Sequence, residues 1–207
     1  MTPFPFIHRP RGLEQAASLL AGGHALLMGG GTALRIEWNR ALPRGRVVID
    51  LSGVEDTRYV RVAPGWIGAG VPLATLEHDD RVPALLRQAI GNVASPAVRR
   101  LATLGGQIGG RSGCTLAALL VMEAWVQILP PGERAPVIQP LAQWLRDPPE
   151  GIVVGVGYPV RDMENWRCFY RKVGLRQAFT PAMAVVAAMV RQSEDGRIAD
   201  IRLAVGG

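Results

Sequence analysis

The sequence has 207 residues, enough for one ordinary domain or two small lobes around a buried core. Its 48% hydrophobic and 19% charged composition excludes a disordered tail. The net charge of +6 comes from scattered arginines, with Lys172 the sole lysine and Arg99-Arg100 and Arg171-Lys172 the sole adjacent basic pairs, so no nucleic-acid partner is expected.

In chain order, Leu13, Ala16, Ala17 and Leu20 recur at helical spacing, and Gly22-Gly23 closes that helix. Ala25–Met28 is an apolar run fit for a buried strand. It leads through Gly29-Gly30-Gly31-Thr32 into a helix over Ala33–Asn39, and Arg46–Leu51 is a β-branched strand. Helix, strand, glycine turn, helix and strand form an α/β unit, which predicts a small parallel sheet and a first lobe over residues 1–52.

The second lobe, residues 53–207, begins with a hairpin of Tyr59–Ala63 and Trp66–Ala69 around Pro64-Gly65. Helices are predicted near Pro72–His78, Val82–Ile90 and Leu116–Glu123, with a glycine-rich loop over Thr103–Gly113 before the last of these. Strands are predicted over Trp125–Leu129, Ile152–Val156, Cys168–Val173, Ala182–Arg191 and Ile198–Ala204, with a turn at Glu194-Asp195-Gly196. Strands joined by tight turns argue an antiparallel sheet with helices on one side, so the fold class is α+β.

The N-terminus lacks a basic segment followed by a long apolar stretch, so no secretory signal is expected. The longest apolar run, Leu116 to Met122, is far short of the ~20 residues that span a bilayer, and no membrane partner is expected. Cys114 and Cys168 are too few for a four-cysteine zinc or iron–sulfur site, and His8, His24 and His78 have no metal spacing. The default compartment is the cytoplasm.

Three segments carry candidate chemistry. Met28-Gly29-Gly30-Gly31-Thr32-Ala33-Leu34 places three glycines between a strand and a helix, where exposed amides and the helix N-terminus suit an anion such as pyrophosphate; the alternative is a plain turn. Thr103-Leu104-Gly105-Gly106-Gln107-Ile108, continuing to Ser112, offers hydrogen-bonding side chains in a loop that is costly to order, against the alternative of a flexible surface loop. On the strand Phe169–Val173, alternation sends Arg171 and Lys172 to opposite faces, so one cation can meet a ligand, or both can guard an edge.

Taken in order, these segments resemble the FAD-binding subunits of the xanthine dehydrogenase and carbon monoxide dehydrogenase family of molybdenum hydroxylases. The matching pieces are Met28–Leu34, Ile67-Gly68-Ala69, Val98-Arg99-Arg100, Ala102–Ile108, and Phe169 through Lys172 to Arg176. The resemblance implies the two-lobed flavin fold of the vanillyl-alcohol oxidase or p-cresol methylhydroxylase type. It also implies FAD between the lobes, held by backbone amides of Met28, Gly29, Gly30, Gly31, Thr32, Ala33 and Leu34 and of Thr103, Gly105, Gly106, Gln107 and Ile108, with Ser112 nearby and Lys172 close to the flavin ring.

The implied role is that of an oxidoreductase subunit relaying electrons. Molybdopterin and 2Fe–2S centres would lie on partner subunits, with NAD+ or another acceptor downstream. Ala33 stands where the family often has an acid, Gln107 where it has asparagine, and Gly113-Cys114-Thr115 where it has a proline and then an aspartate. These departures motivate an alternative, a scaffold subunit of the same complex without flavin. A stand-alone flavin reductase, such as a cell-wall precursor reductase, would need a catalytic acid that the second half does not offer. The sequence ends at Gly206-Gly207, roughly where family members begin a C-terminal domain, so that domain is expected to be absent.

Overall fold

The structure is a computed structural model and describes residues 5–41, 46–62, 65–111, 114–159, 166–175 and 182–207. The chain opens with β1 (Phe6–His8), α1 (Leu13–Ala21), β2 (Ala25–Met28), α2 (Thr32–Trp38) and β3 (Val47–Asp50). The strands form a parallel sheet in the order β1-β3-β2, with Ile7 opposite Val48 and Leu27 opposite Ile49. The predicted small parallel sheet is therefore present. β1 adds an edge strand that three exposed residues gave no pattern to predict.

Ala16, Ala17 and Leu20 form the buried stripe of α1 and pack with Ile49 against Leu129, Ile152 and Val154. Those last three belong to the second sheet, so α1 bridges the two layers. The Gly132 amide donates to the Ala17 carbonyl at 2.9 Å and fastens the same join.

Beyond residue 50 come β4 (Val60–Arg61), β5 (Gly65–Gly68), α3 (Leu73–Glu77), α4 (Ala84–Gly91), α5 (Pro96–Arg99), α6 (Leu104–Gly109), α7 (Cys114–Val121), β6 (Trp125–Leu129), β7 (Val137–Pro140), α8 (Leu141–Arg146), β8 (Ile152–Tyr158), β9 (Trp166–Gly174), β10 (Ala182–Gln192) and β11 (Ile198–Gly206). The α+β class stands, but the antiparallel part is two sheets, not one. Five strands run in the order β4-β5-β8-β6-β7, and three more in the order β11-β10-β9.

Nor do the helices keep to one side of a single sheet. α7 packs on β10 and β11 and α4 on β9, while α6 packs on β8 and α8 on β6. One continuous core joins them, running from Val126 and Val156 through Leu85, Leu104 and Leu119 to Val185 and Ala187. α7 explains how this is possible. Its residues are buried all round apart from the half-buried Leu120, as a helix lying between layers requires.

The predicted glycine-rich loop is also corrected. Leu104–Gly109 is a helix, because Leu104 and Ile108 stand four residues apart on one face and both are fully buried. Three glycines in six residues hide that pattern from a propensity reading. The turn Pro64-Gly65, apart from Gly65, and the stretch Ser112-Gly113 lie outside the described residues. No helix among the described residues is long and apolar enough to cross a membrane.

Candidate functional site

The first glycine segment joins β2 to α2. Gly31 is the residue before the helix and lies at φ 68°, a left-handed conformation that strains any residue with a side chain. Gly30 is required for a different reason. It approaches the main chain of Leu101 so closely that a Cβ would overlap the Leu101 carbonyl oxygen. A Cβ on Gly29 would stand 2.7 Å from Thr103 Oγ1. The two glycine segments, some seventy positions apart in sequence, are thus in direct contact.

The amides from Gly30 to Leu34 donate to no other group among the described residues. The first to turn back is that of Arg35, which donates to the Gly31 carbonyl at 2.9 Å. Such a run of bare donors at the start of a helix favours an anion.

The second segment differs. Thr103 caps α6, its hydroxyl oxygen accepting from the Gly106 amide at 3.2 Å. The Leu104 amide donates to Val71 O at 3.3 Å, that of Gly105 to Ala69 O at 2.8 Å, and that of Gln107 to Thr103 O at 3.1 Å. Of the expected donors, the amides of Gly105, Gly106 and Gln107 therefore donate within the protein. The Leu73 amide bonds to Ala102 O at 2.8 Å, so the stretch from Ala69 to Leu73 holds the entry to α6 as a strand neighbour would. Ile108 is wholly buried in the core, whereas Gly106 is exposed and Gln107 half-buried.

Lys172 and Arg171 do face opposite sides of β9, with Tyr170 buried on the Lys172 side. Lys172 Nζ donates to Asn92 O, just past α4, at 2.9 Å. The same carbonyl lies 3.6 Å from Cys114 Sγ at the start of α7. The Tyr170 hydroxyl donates to Cys114 O at 3.0 Å, and burial pushes its pKa well above that of an ordinary phenol, so it stays a neutral donor. Lys172 therefore belongs to a junction of α4, α7 and β9. α6, about 9 Å long at 1.5 Å per residue, leads from the glycine contact toward α7 and this junction. Arg176 and Ser112 lie outside the described residues.

Sequence reading missed the group that fixes the turn after α4. Arg99, only 7% exposed, holds Glu77 in a two-pronged ion pair, Nε to Oε2 at 2.7 Å and Nη2 to Oε1 at 3.0 Å. Its Nη1 donates to Val93 O at 2.9 Å and to Ala94 O at 3.3 Å, beside a backbone that Ala94 holds at φ 43°. The sequence did mark Val98-Arg99-Arg100 as a basic stretch. No linear signal separates the buried Arg99 from the exposed Arg100 or pairs it with a glutamate 22 residues away.

Residues 3–160 match the family described as the FAD binding domain in molybdopterin dehydrogenase. The chain belongs to that family. The match takes in both glycine segments and ends before β9, so Lys172 lies outside it. Across its full length the chain is 27% identical, over 222 aligned residues, to the xanthine dehydrogenase FAD-binding subunit of Escherichia coli O157:H7, covering 75% of that protein. Over 137 residues it is 31% identical to the nicotinate dehydrogenase FAD-subunit of Eubacterium barkeri, covering 61% of this chain and 46% of that one.

Among solved structures, a chain of the carbon monoxide dehydrogenase of Hydrogenophaga pseudoflava superposes with a TM-score of 0.88 at 24% identity, over 99% of this chain and 75% of that one. A chain of quinoline 2-oxidoreductase from Pseudomonas putida 86 gives 0.85 at 20% identity, over 100% and 75%. At those identities the likeness establishes the fold. The FAD-binding family and the fold thus agree with the resemblance read from the motifs.

Proposed function

We propose that this chain is the FAD-binding, electron-transferring subunit of a molybdopterin-containing dehydrogenase. The observation that carries the reading is the bare run of amides from Gly30 to Leu34, set against the second glycine segment in a chain of the FAD-binding family. A dinucleotide pyrophosphate is the anion that such a run fits, and the absence of Cβ atoms at Gly29, Gly30 and Gly31 lets it approach the main chain.

On this reading Met28, Gly29, Gly30, Gly31, Thr32, Ala33 and Leu34 line one wall and give the donors. Thr103, Gly105, Gly106, Gln107 and Ile108 form the other, with different tasks. Gly106 and the Gln107 side chain offer contact surface, while Thr103, Gly105 and Ile108 hold α6 in place. Ser112, which lies outside the described residues, is proposed with them. Lys172 sits at the flavin end of the track. Its ammonium has three protons and gives one to Asn92 O, which leaves donors and a positive charge for a neighbour that gains negative charge on reduction.

FAD, when bound, supplies the centre that takes up and gives back electrons. The source would be a 2Fe–2S partner subunit, substrate oxidation would lie on a molybdopterin partner, and the acceptor would be NAD+ or another oxidant, all in the cytoplasm. The names of the xanthine and nicotinate dehydrogenase relatives support the assignment to such a dehydrogenase.

A second reading, a scaffold subunit without flavin, draws on one observation: the amides at the start of α6 are already satisfied internally. An absorbance spectrum of the purified chain after FAD addition and desalting separates the two. Retained flavin bands are expected. A protein that stays colourless, yet still assembles with its partner subunits, would overturn the first reading in favour of the second.

A further inference from the structure

A cavity of about 300 Å³ lies between the first turn of α4, the end of β8 and the inner face of β11. None of the residues proposed to hold FAD lines it. Its walls are largely apolar, with Val82, Met122 and Met189 among them, while Tyr158, Arg87 and Arg202, and at the rim Asp80 and Arg81, bring polar groups to it. Tyr158 is only 5% exposed.

Three buried donor atoms on those residues have no hydrogen-bond acceptor among the described residues: Tyr158 Oη, Arg87 Nε and Arg202 Nη1. The nearby acids among the described residues do not supply one. Asp80 takes Arg87 at Nη1, 2.6 Å away, and is itself almost fully exposed. Asp79 is bound to Arg81, Nη2 to Oδ2 at 2.6 Å. Arg202 Nη1 stands 3.3 Å from Glu123 Oε2, within ion-pair distance but without the geometry of a hydrogen bond, and its Nη2 is 3.5 Å from Asp200. The acids balance charge and leave donors unpaired, and a buried donor without an acceptor is costly.

We infer that this cavity is a binding site for a small apolar carboxylate, with the apolar body against Met122 and Met189 and the carboxylate oxygens accepting from Tyr158 Oη and Arg87 Nε. Each other class of ligand fails one requirement. An ammonium would meet guanidinium groups, a hydrocarbon would leave the donors unpaired, and a nucleotide exceeds a volume at the lower limit of ligand pockets. The site is independent of the FAD reading, because it shares no residue with it.

The test uses benzoate as the probe on the purified chain, with the six methionine methyls labelled for carbon-13 NMR. Benzoate is expected to shift the Met122 and Met189 methyls saturably, and benzamide, of the same shape but uncharged, to bind at least about tenfold more weakly. Tyr158→Phe keeps the ring and removes the hydroxyl; Arg87→Lys keeps the charge and removes Nε. At least one of the two is expected to weaken benzoate about tenfold. Unmoved Met122 and Met189 signals, equal binding of benzoate and benzamide, or wild-type affinity in both variants would each overturn the assignment.

Discussion

Gly30 and the Leu101 carbonyl oxygen are so close that the α-hydrogen of a glycine is all that fits between them. This contact locks the turn before α2 to the residues that lead into α6, beside the approach of Gly29 to Thr103. Gly30→Ala must push one main chain away from the other. The expected cost is about 1–3 kcal/mol of stability, together with loss of the aligned amides. The flavin-to-protein ratio after desalting is therefore expected to fall well below that of the wild type. A variant that unfolds earlier but holds FAD normally would show that the contact is structural alone.

Gly109→Ala is the counterpart. A Cβ there meets nothing within 4 Å, and the residue is helical. Stability is expected to rise by about 0.5–1 kcal/mol, with no loss of flavin. Urea denaturation monitored by tryptophan fluorescence is the check. A loss of stability would mean that α6 is not formed as described.

Much of this arrangement was legible in the sequence because it rests on local patterns. The strand, glycine turn and helix from Ala25 to Trp38 and the long hairpin of β10 and β11 follow from apolar runs and turn residues. What escaped depends on partners distant in sequence. α6 reads as a loop because its helix-forming cue is only two residues, Leu104 and Ile108, buried by a core assembled from other segments. β7 and α8 escaped because Val137–Pro140 is mostly exposed and leads without a capping side chain into a helix of six residues. The division of the antiparallel strands into two sheets could not be read either, since alternation reports that a strand has two faces and not which sheet it joins.

The Glu77–Arg99 pair gives a third prediction. Arg99→Gln leaves the Glu77 carboxylate partly buried without its cation and frees the Val93 and Ala94 carbonyls. A destabilisation of about 3 kcal/mol is expected. Replacing both residues, Glu77→Gln with Arg99→Gln, is expected to cost less than the sum of the single changes, because neither then strands a charge. A double-mutant cycle in urea measures the coupling, and strict additivity would contradict the geometry.

Lys172→Met removes the ammonium that bonds to Asn92 O and keeps the length of the side chain. The contact is exposed, so stability is expected to fall by no more than about 1 kcal/mol. If Lys172 faces the flavin, the reduction potential of bound FAD falls, because a nearby cation favours the reduced, more negative flavin. Lys172→Arg should restore most of the potential. Spectroelectrochemistry reads this directly, and an unchanged potential in Lys172→Met would place the lysine away from the ring.

The three tyrosines, Tyr59, Tyr158 and Tyr170, set the behaviour at high pH. In each, burial raises the pKa above the ordinary value of 10.0, opposed at Tyr59 by the neighbouring Arg61 and reinforced at Tyr158 by Asp79. Tyr170 is raised most and is also tied to Cys114 O. A folded-state pKa above the unfolded one means that the unfolded chain loses these protons first. Their contribution to stability is therefore complete below pH ~10 and is lost as pH rises through the folded-state values. Tyrosinate absorbance near 295 nm is expected to stay low in the folded protein past pH 10 and to appear together with loss of structure, in one transition. Tyr170→Phe removes the largest of the three shifts, so its stability should depend less steeply on pH above 10, at a cost of about 1–2 kcal/mol near neutrality from the lost bond. Phenol ionisation well before unfolding, with the fold intact, would show that the tyrosines are more open to water than the structure places them.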